Sequence, residues 1–209
     1  MRSRRHFVLG AGAVAAAALV GGCSVVRTAP VKATFLLEPA MPPPVAKPQP
    51  GVIRMGTVNV AAPFRGRSLV TREAELKYDS DYYNEFLAAP GNIIGDATVR
   101  ALGAARVFGT VLPMAVPTES DWLLEGFVGS IYGDARVSAQ PVAVLQITYY
   151  LSKASSGTGT PFWSKGYERR IPFESGSVSK YVAALNTALG EILAELCRDL
   201  AALTLPALP

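Results

Sequence analysis

From residue 177 to about 203, apolar side chains recur at spacings of three and four: Val178, Val182, Leu185, Leu189, Ile192, Leu196 and Leu200. Lys180, Glu191, Glu195 and Asp199 fall on the other faces, so the stretch predicts a long amphipathic helix. A second, weaker helix is expected over 90–102. Pro90 suits its first turn, Ile94, Ala97, Ala101 and Leu102 share a face, and Gly103 stands where it would close. Most other segments carry the two-residue period or the β-branched and aromatic composition of strands. Residues 52–60 alternate and stop before Pro63, and 68–72 and 74–78 are expected to pair as a hairpin. Over 122–132, Leu124, Gly126, Val128 and Ser130 line one side, with Leu123, Phe127 and Ile131 partly breaking the alternation. The stretch 141–152 is rich in Val, Ile and Tyr, and a loop at 153–160 joins it to 162–171.

Strands, a helix, more strands and a final helix imply an α+β single domain. Its sheet is expected to be mostly antiparallel or mixed, with helices packed on one face. Ahead of it, 33–37 reads as a short strand, and the prolines at 39, 42, 43, 44, 48 and 50 read as a stiff connector over the surface. The expected division is a signal segment at 1–22, an anchored N-terminus, short strand and connector at 23–50, and the folded domain at 51–205.

Composition narrows the chemistry. Half of the 209 residues are hydrophobic and 17% are charged, which gives a real core and excludes a wholly disordered chain. The formal charge of +4 owes much to Arg2, Arg4 and Arg5; without residues 1–22 there are 17 basic against 16 acidic residues. A nucleic-acid role thereby loses its electrostatic basis. The single histidine, His6, lies in the same leader, so its removal takes away histidine-based nucleophilic catalysis and histidine-ligated metals. Two cysteines, Cys23 and Cys197, supply neither a disulfide framework nor a zinc cluster.

The leader itself is an address. A basic head precedes an uncharged run of 16 residues at 7–22, shorter than the roughly 20 that a membrane-spanning helix needs. Small residues follow, the pattern of a secretory signal. Val20-Gly21-Gly22-Cys23 resembles a bacterial lipobox, with cleavage between Gly22 and Cys23 and lipid on the Cys23 thiol. Arg4 and Arg5 within Ser3-Arg4-Arg5-His6-Phe7-Val8-Leu9 resemble a twin-arginine export signal, with ordinary Sec export the alternative. Ser24 after the cysteine resembles the sorting pattern of outer-membrane lipoproteins, facing the periplasm. Several acyl chains on one cysteine suffice for stable anchoring, where a single chain does not.

Within the domain, Glu73, Glu75, Asp79, Asp81 and Glu85 form an acidic cluster that lacks the glycine and closing glutamate of a calcium loop and reads as solvated charge. Cys197 on the final helix reads as a small buried hydrophobe. Tyr78, Tyr82, Tyr83 and Phe86 read as core packing or a lead-in to the first helix, with lipid or partner contact as the other reading. No catalytic group, metal site or cofactor emerges, the covalent lipid on Cys23 apart, and the expectation is a non-enzymatic protein that works by contact.

The order of features resembles one known family. Phe35-Leu36-Leu37-Glu38-Pro39 comes first, then 53–64 running from Ile53 into Pro63-Phe64, then Leu69-Val70-Thr71-Arg72 and Tyr82-Tyr83-Asn84-Glu85-Phe86 ahead of a proline-started helix. Together with the lipobox, this is similar to the ABC-type transport auxiliary lipoproteins. The resemblance implies a partner of a permease, an ATPase and an MCE-type substrate-binding protein, moving phospholipids or other hydrophobic compounds across the envelope. Phe64, Arg72, Tyr82 and Tyr83 are the expected partner contacts. The alternative is a pilotin-like or outer-membrane assembly lipoprotein that docks on another envelope machine.

Overall fold

A computed structural model describes residues 31–116, 118–154 and 160–208. The expected signal segment with Arg4, Arg5 and Gly22, the anchor at Cys23, and residues 155–159 of the expected loop lie outside these. Along the chain run strands β1 (Ala33–Phe35), β2 (Gln49–Val60), β3 (Ser68–Arg72) and β4 (Tyr78–Phe86). Helix α1 (Pro90–Ala105) leads to β5 (Phe108–Leu112), β6 (Trp122–Asp134), β7 (Val142–Lys153) and β8 (Trp163–Pro172), and helix α2 (Val178–Ala202) follows.

All eight strands join one mixed sheet. Its centre is β6, which pairs with β7 in antiparallel fashion along its full length, and β7 pairs likewise with β8. The other edge of β6 serves two strands in succession, both parallel: β2 against residues 122–128, then β3 opposite Gly133 and Asp134. Parallel β5 extends the sheet beyond β2, and antiparallel β4 followed by parallel β1 extends it beyond β3. The broken alternation over 122–132 has a simple cause. Between Val128 and Ser130, β6 advances two residues while β7 advances one, from Ile147 to Gln146. Gly129 is the extra residue of a β-bulge, and a bulge flips the facing of every residue after it. Trp122, Leu124, Gly126 and Val128 face the helices, and Ile131 and Gly133 do so beyond the bulge, so Ser130 faces the opposite way from the expected set.

Both helices cover the same face. Thr98 of α1 shares a 2.8 Å hydrogen bond with Tyr149 of β7. The ring of Tyr149 lies 6.2 Å from that of Tyr167 on β8, whose hydroxyl donates to Asp199 of α2 at 2.7 Å. The stripe on α2 is buried as its period demands: Leu185, Leu189, Ile192, Leu196 and Leu200 have no exposed surface. Each such side chain contributes about 1.5–3 kcal/mol of burial. Ser177 caps the helix, its hydroxyl accepting from the Lys180 amide. The polar side of α2 is pinned to β8, with Lys165 bonded to Glu195 and Asp199 and Arg169 to Glu191 and Glu195.

Two boundaries differ from the sequence reading. Helix α1 runs through Gly103 and closes at Arg106, whose φ of 51° is left-handed. The amide of Val107 then returns to the Leu102 carbonyl, and β5, a five-residue strand with no alternation to announce it, follows. The second hairpin strand is not 74–78 but Tyr78–Phe86, because residues 73–77 form the turn, closed by the Glu73 amide on the Lys77 carbonyl at 2.9 Å. The proline-rich segment runs over the surface as a strap tied to both helices. Leu37 is fully buried, Glu38 accepts from Asn186 of α2, and the Val45 amide donates to Ala105 at the end of α1. At its end the Gln49 side chain donates to the carbonyls of Leu200, Ala201 and Leu203 at 2.8–3.0 Å, satisfying the last turn of α2. The compact unit accordingly begins at Lys32.

The start of α1 touches β2 so closely that a methyl group on Gly91 would sit 2.3 Å from the Val58 carbonyl oxygen, whereas one on Gly103 would meet nothing within 4 Å. Gly91→Ala is therefore expected to cost about 1–3 kcal/mol through overpacking. Gly103→Ala is expected to add about 0.5–1 kcal/mol through helix propensity. Urea unfolding followed by tryptophan fluorescence reads both, and equal effects of the same sign would refute this account.

Candidate functional site

The four residues expected to make contacts lie along β3, β4 and the turn after β2. That turn is a short 3-10 helix at Ala62–Phe64, which lays the Phe64 ring on the face of the sheet away from the helices. There Phe64 stacks on Tyr132 with ring centres 5.7 Å apart, and Tyr78 meets both rings edge-on. Phe64 is 8% exposed, so it packs rather than presents a surface. Arg72 lies over the Tyr78 ring at 5.5 Å and is held by the carbonyl of Ala74 and the carboxylate of Glu75. Its side chain is also mostly covered.

Tyr82 and Tyr83 are different. From Ser68 to Val70 the register of β3 moves two residues, while on β4 it moves five, from Glu85 to Ser80. The excess backbone is thrown out as a wide bulge. Asp81 holds it: one carboxylate oxygen accepts from the Tyr83 and Asn84 amides at 2.8 and 2.9 Å, and the other from the Asn84 side chain at 2.8 Å. Such local carboxylate–backbone bonds fix turns against competing structure. The two rings project outward in an edge-to-face pair 5.0 Å apart, Tyr82 at 70% exposure and Tyr83 at 44%. Of the expected aromatic group only Phe86 enters the core. Lys32, which carried no sequence signal, sits with its ammonium 4.9 Å over the Tyr82 ring and pairs with Glu85.

The acidic cluster is largely paired. Glu73 binds Lys77, Glu75 binds Arg72 and Arg136, and Glu85 binds Arg67 as well as Lys32. Among the described residues no group of three or more His, Cys, Asp or Glu is arranged to hold a metal ion. Beside the cluster, Asp134 at the end of β6 is 5% exposed and takes a two-pronged bond from Arg136 at 2.8 and 2.9 Å, with Arg170 at 3.2 Å. The Arg136 hydrogen bonds hold its carboxyl well below the usual range, against the opposing effect of burial. Cys197 is 1% exposed, and burial pushes its thiol up to about 12. Since the thiolate is the reactive form, this is the setting of a packing residue. Among the described residues, one groove is lined by Arg54, whose buried Nε has no hydrogen-bond partner, with Glu119, Asp121 and Ala154; another, lined by Met55, Val58, Gly95, Val99 and Met114, lies between β2 and α1.

No family model matches the chain, and no curated protein matches its sequence. Solved structures do. Protein XCC0632 from Xanthomonas campestris, of the DUF330 family, is similar at a TM-score of 0.70 and 17% identity, over 79% of this chain and 92% of that one. A second, described as an uncharacterized protein, gives a TM-score of 0.63 at 14% identity over 81% and 98% of the two chains. Lipoprotein GNA1162 from Neisseria meningitidis is a looser match, with a TM-score of 0.37 at 13% identity over 73% and 99%. At these identities the first two show a shared fold, the α+β layer described above.

Two outcomes follow from the buried ionisable groups. The depressed pKa of Asp134 means that its stabilisation is present above the unfolded carboxyl value of about 3.9 and is lost as pH falls below it. Asp134→Asn should lower the melting temperature at pH 7 and flatten its fall between pH 5 and 2; an unchanged acid limb would remove Asp134 from the account. In the native protein Cys197 should resist a thiol reagent such as dithionitrobenzoate and react only after denaturation, and rapid native labelling would show that it is accessible.

Proposed function

We propose that this protein is a lipid-anchored auxiliary component of an ABC transport system of the MCE type, moving phospholipids or other hydrophobic compounds across the envelope. Cys23 carries the anchor, Ser24 directs it to the outer membrane, and the domain docks the periplasmic substrate-binding protein without catalysing a reaction. One observation carries the reading: the lipobox stands ahead of an ordered set of motifs, and each of those motifs contributes residues to the core or the sheet. Phe35 pairs in register with Phe86, Leu37 is fully buried, Pro63-Phe64 forms the turn against Tyr132, and Leu69 of β3 is buried in the core. A family defined by these short motifs would keep them for packing, which agrees with the covered positions of Phe64 and Arg72. The structural likeness to a DUF330 protein supplies the fold but not the activity.

The test is a mild-detergent pull-down of the lipidated protein from its native membranes, with partners identified by mass spectrometry. Recovery of a permease, an ATPase or an MCE-type protein is expected, together with loss of lipid transport on deletion. Recovery of secretion or assembly components alone would overturn the reading in favour of the pilotin-like role.

A further inference from the structure

We infer that the Tyr82–Tyr83 bulge is a membrane-contact surface, resting on the headgroup region of the leaflet that holds the anchor. The inference rests on the proposed lipidation of Cys23. Between that cysteine and Lys32, where the compact unit begins, stand eight residues. Fully extended, this link spans about 30 Å. A domain of this size has a radius of gyration of about 16 Å and so a breadth of about 40 Å, and the link holds its own corner of the domain within less than that breadth of the leaflet. That corner is the one bearing the tyrosines: Lys32 lies over the Tyr82 ring, and the next residue, Ala33, is in register with Asn84 beside Tyr83.

The chemistry of the corner suits lipid. Tyrosine has an apolar body and a hydroxyl tip, which fits the boundary between acyl chains and headgroups. Exposed Leu36 and Leu87 continue the apolar edge, linked where the Leu87 amide donates to the Phe35 carbonyl. The surrounding charges are of both signs, Lys32 and Arg67 with Asp79, Asp81 and Glu85, matching zwitterionic headgroups better than a patch of one sign. The rings also stand out on a bulge instead of lining a recess, whereas the energetic centres of protein interfaces are enclosed by their surroundings. Finally, β1 is the end strand at this corner, so both the start of the compact unit and the tyrosines lie at one rim of the sheet.

The experiment uses the full lipidated chain in phosphatidylethanolamine–phosphatidylglycerol vesicles containing a bromine-labelled acyl lipid, a contact quencher of tryptophan. Tyr82→Trp and Tyr83→Trp each add an emitter at the bulge, and Gln146→Trp adds one on the exposed outer face of β7. With the emission of Trp122 and Trp163 subtracted, at least twofold quenching is expected at positions 82 and 83, and none at 146. Variants that float with the vesicles but stay unquenched at 82 and 83 would overturn the membrane contact while leaving the anchor standing. If, in addition, replacing both tyrosines by serine abolishes co-purification of transporter subunits, the bulge belongs to a protein interface instead. A chain that does not float would refute the anchor itself, and this inference with it.

Discussion

One edge of β6 is shared by two strands in succession, and most of the architecture follows from that. Thirteen residues of β6 present more ladder than β2 can fill, since β2 leaves the sheet at Val60 and β3 takes up the pairing only at Gly133. The chain between must depart and return to the same edge. It does so through the 3-10 turn at Ala62–Phe64, whose hydrogen bonds are local and whose proline fixes the first turn. Phe64 lands on Tyr132, covering a patch of the sheet's outer face that the helices never reach. The same detour sends β3 into its hairpin with β4 and leaves β1 at the far rim. The strand that carries the exposed bulge, β4, therefore lies near that rim, between β3 and β1.

Tyrosine does much of the joining on the helix side. Tyr149, Tyr167 and Tyr181 bury their rings among aliphatic side chains, and each hydroxyl then needs a partner, because an unpaired polar group in such a place costs about 1–3 kcal/mol. Each partner lies on another element: Thr98 on α1, Asp199 on α2 and the Val70 carbonyl on β3. Burial holds all three hydroxyls protonated far above neutral pH. These bonds tie sheet to helices at defined positions, a specificity that hydrophobic contact alone does not give. The Lys165 and Arg169 ion pairs with α2 act in the same sense. Partly exposed pairs are worth only about 0–1 kcal/mol each, so their effect is to set how α2 lies along β8 rather than to hold it there.

Legibility in the sequence tracked burial on a single face. The α2 stripe was plain because one period runs unbroken for seven turns and only one side is covered, and the α+β architecture followed from the order of elements. What the sequence does not display depends on partners distant in the chain. Residues 74–78 alternate well, yet Leu76 is 93% exposed and the segment turns, while the polar run Tyr78–Phe86 becomes a strand because β3 and β1 flank it. The five residues of β5 are too few to show a period. Gly129 reads only as a fault in the alternation, since a bulge is defined by register against β7. Proline density correctly excluded helix from the strap, but nothing local says that Gln49 closes the end of a helix some 150 residues later. At the candidate surface, the sequence singled out Tyr82 and Tyr83 without showing that Asp81 would turn them outward.

The chemically capable groups of the described domain are mostly engaged in holding it together. Asp134 is locked between two arginines, Cys197 of α2 is buried in the core, and most members of the acidic cluster have basic partners. Tyr82 and Tyr83 stand apart from this pattern. Three extra residues of backbone and the three hydrogen bonds of Asp81 keep two large rings in water, a placement that raises the free energy of the isolated domain by leaving apolar surface exposed. The hairpin would close with a simpler ladder if folding were the only demand on it. A surface maintained at such a cost is accounted for when something outside the domain covers it, and the lipid anchor proposed at Cys23 would put a membrane leaflet within reach of it.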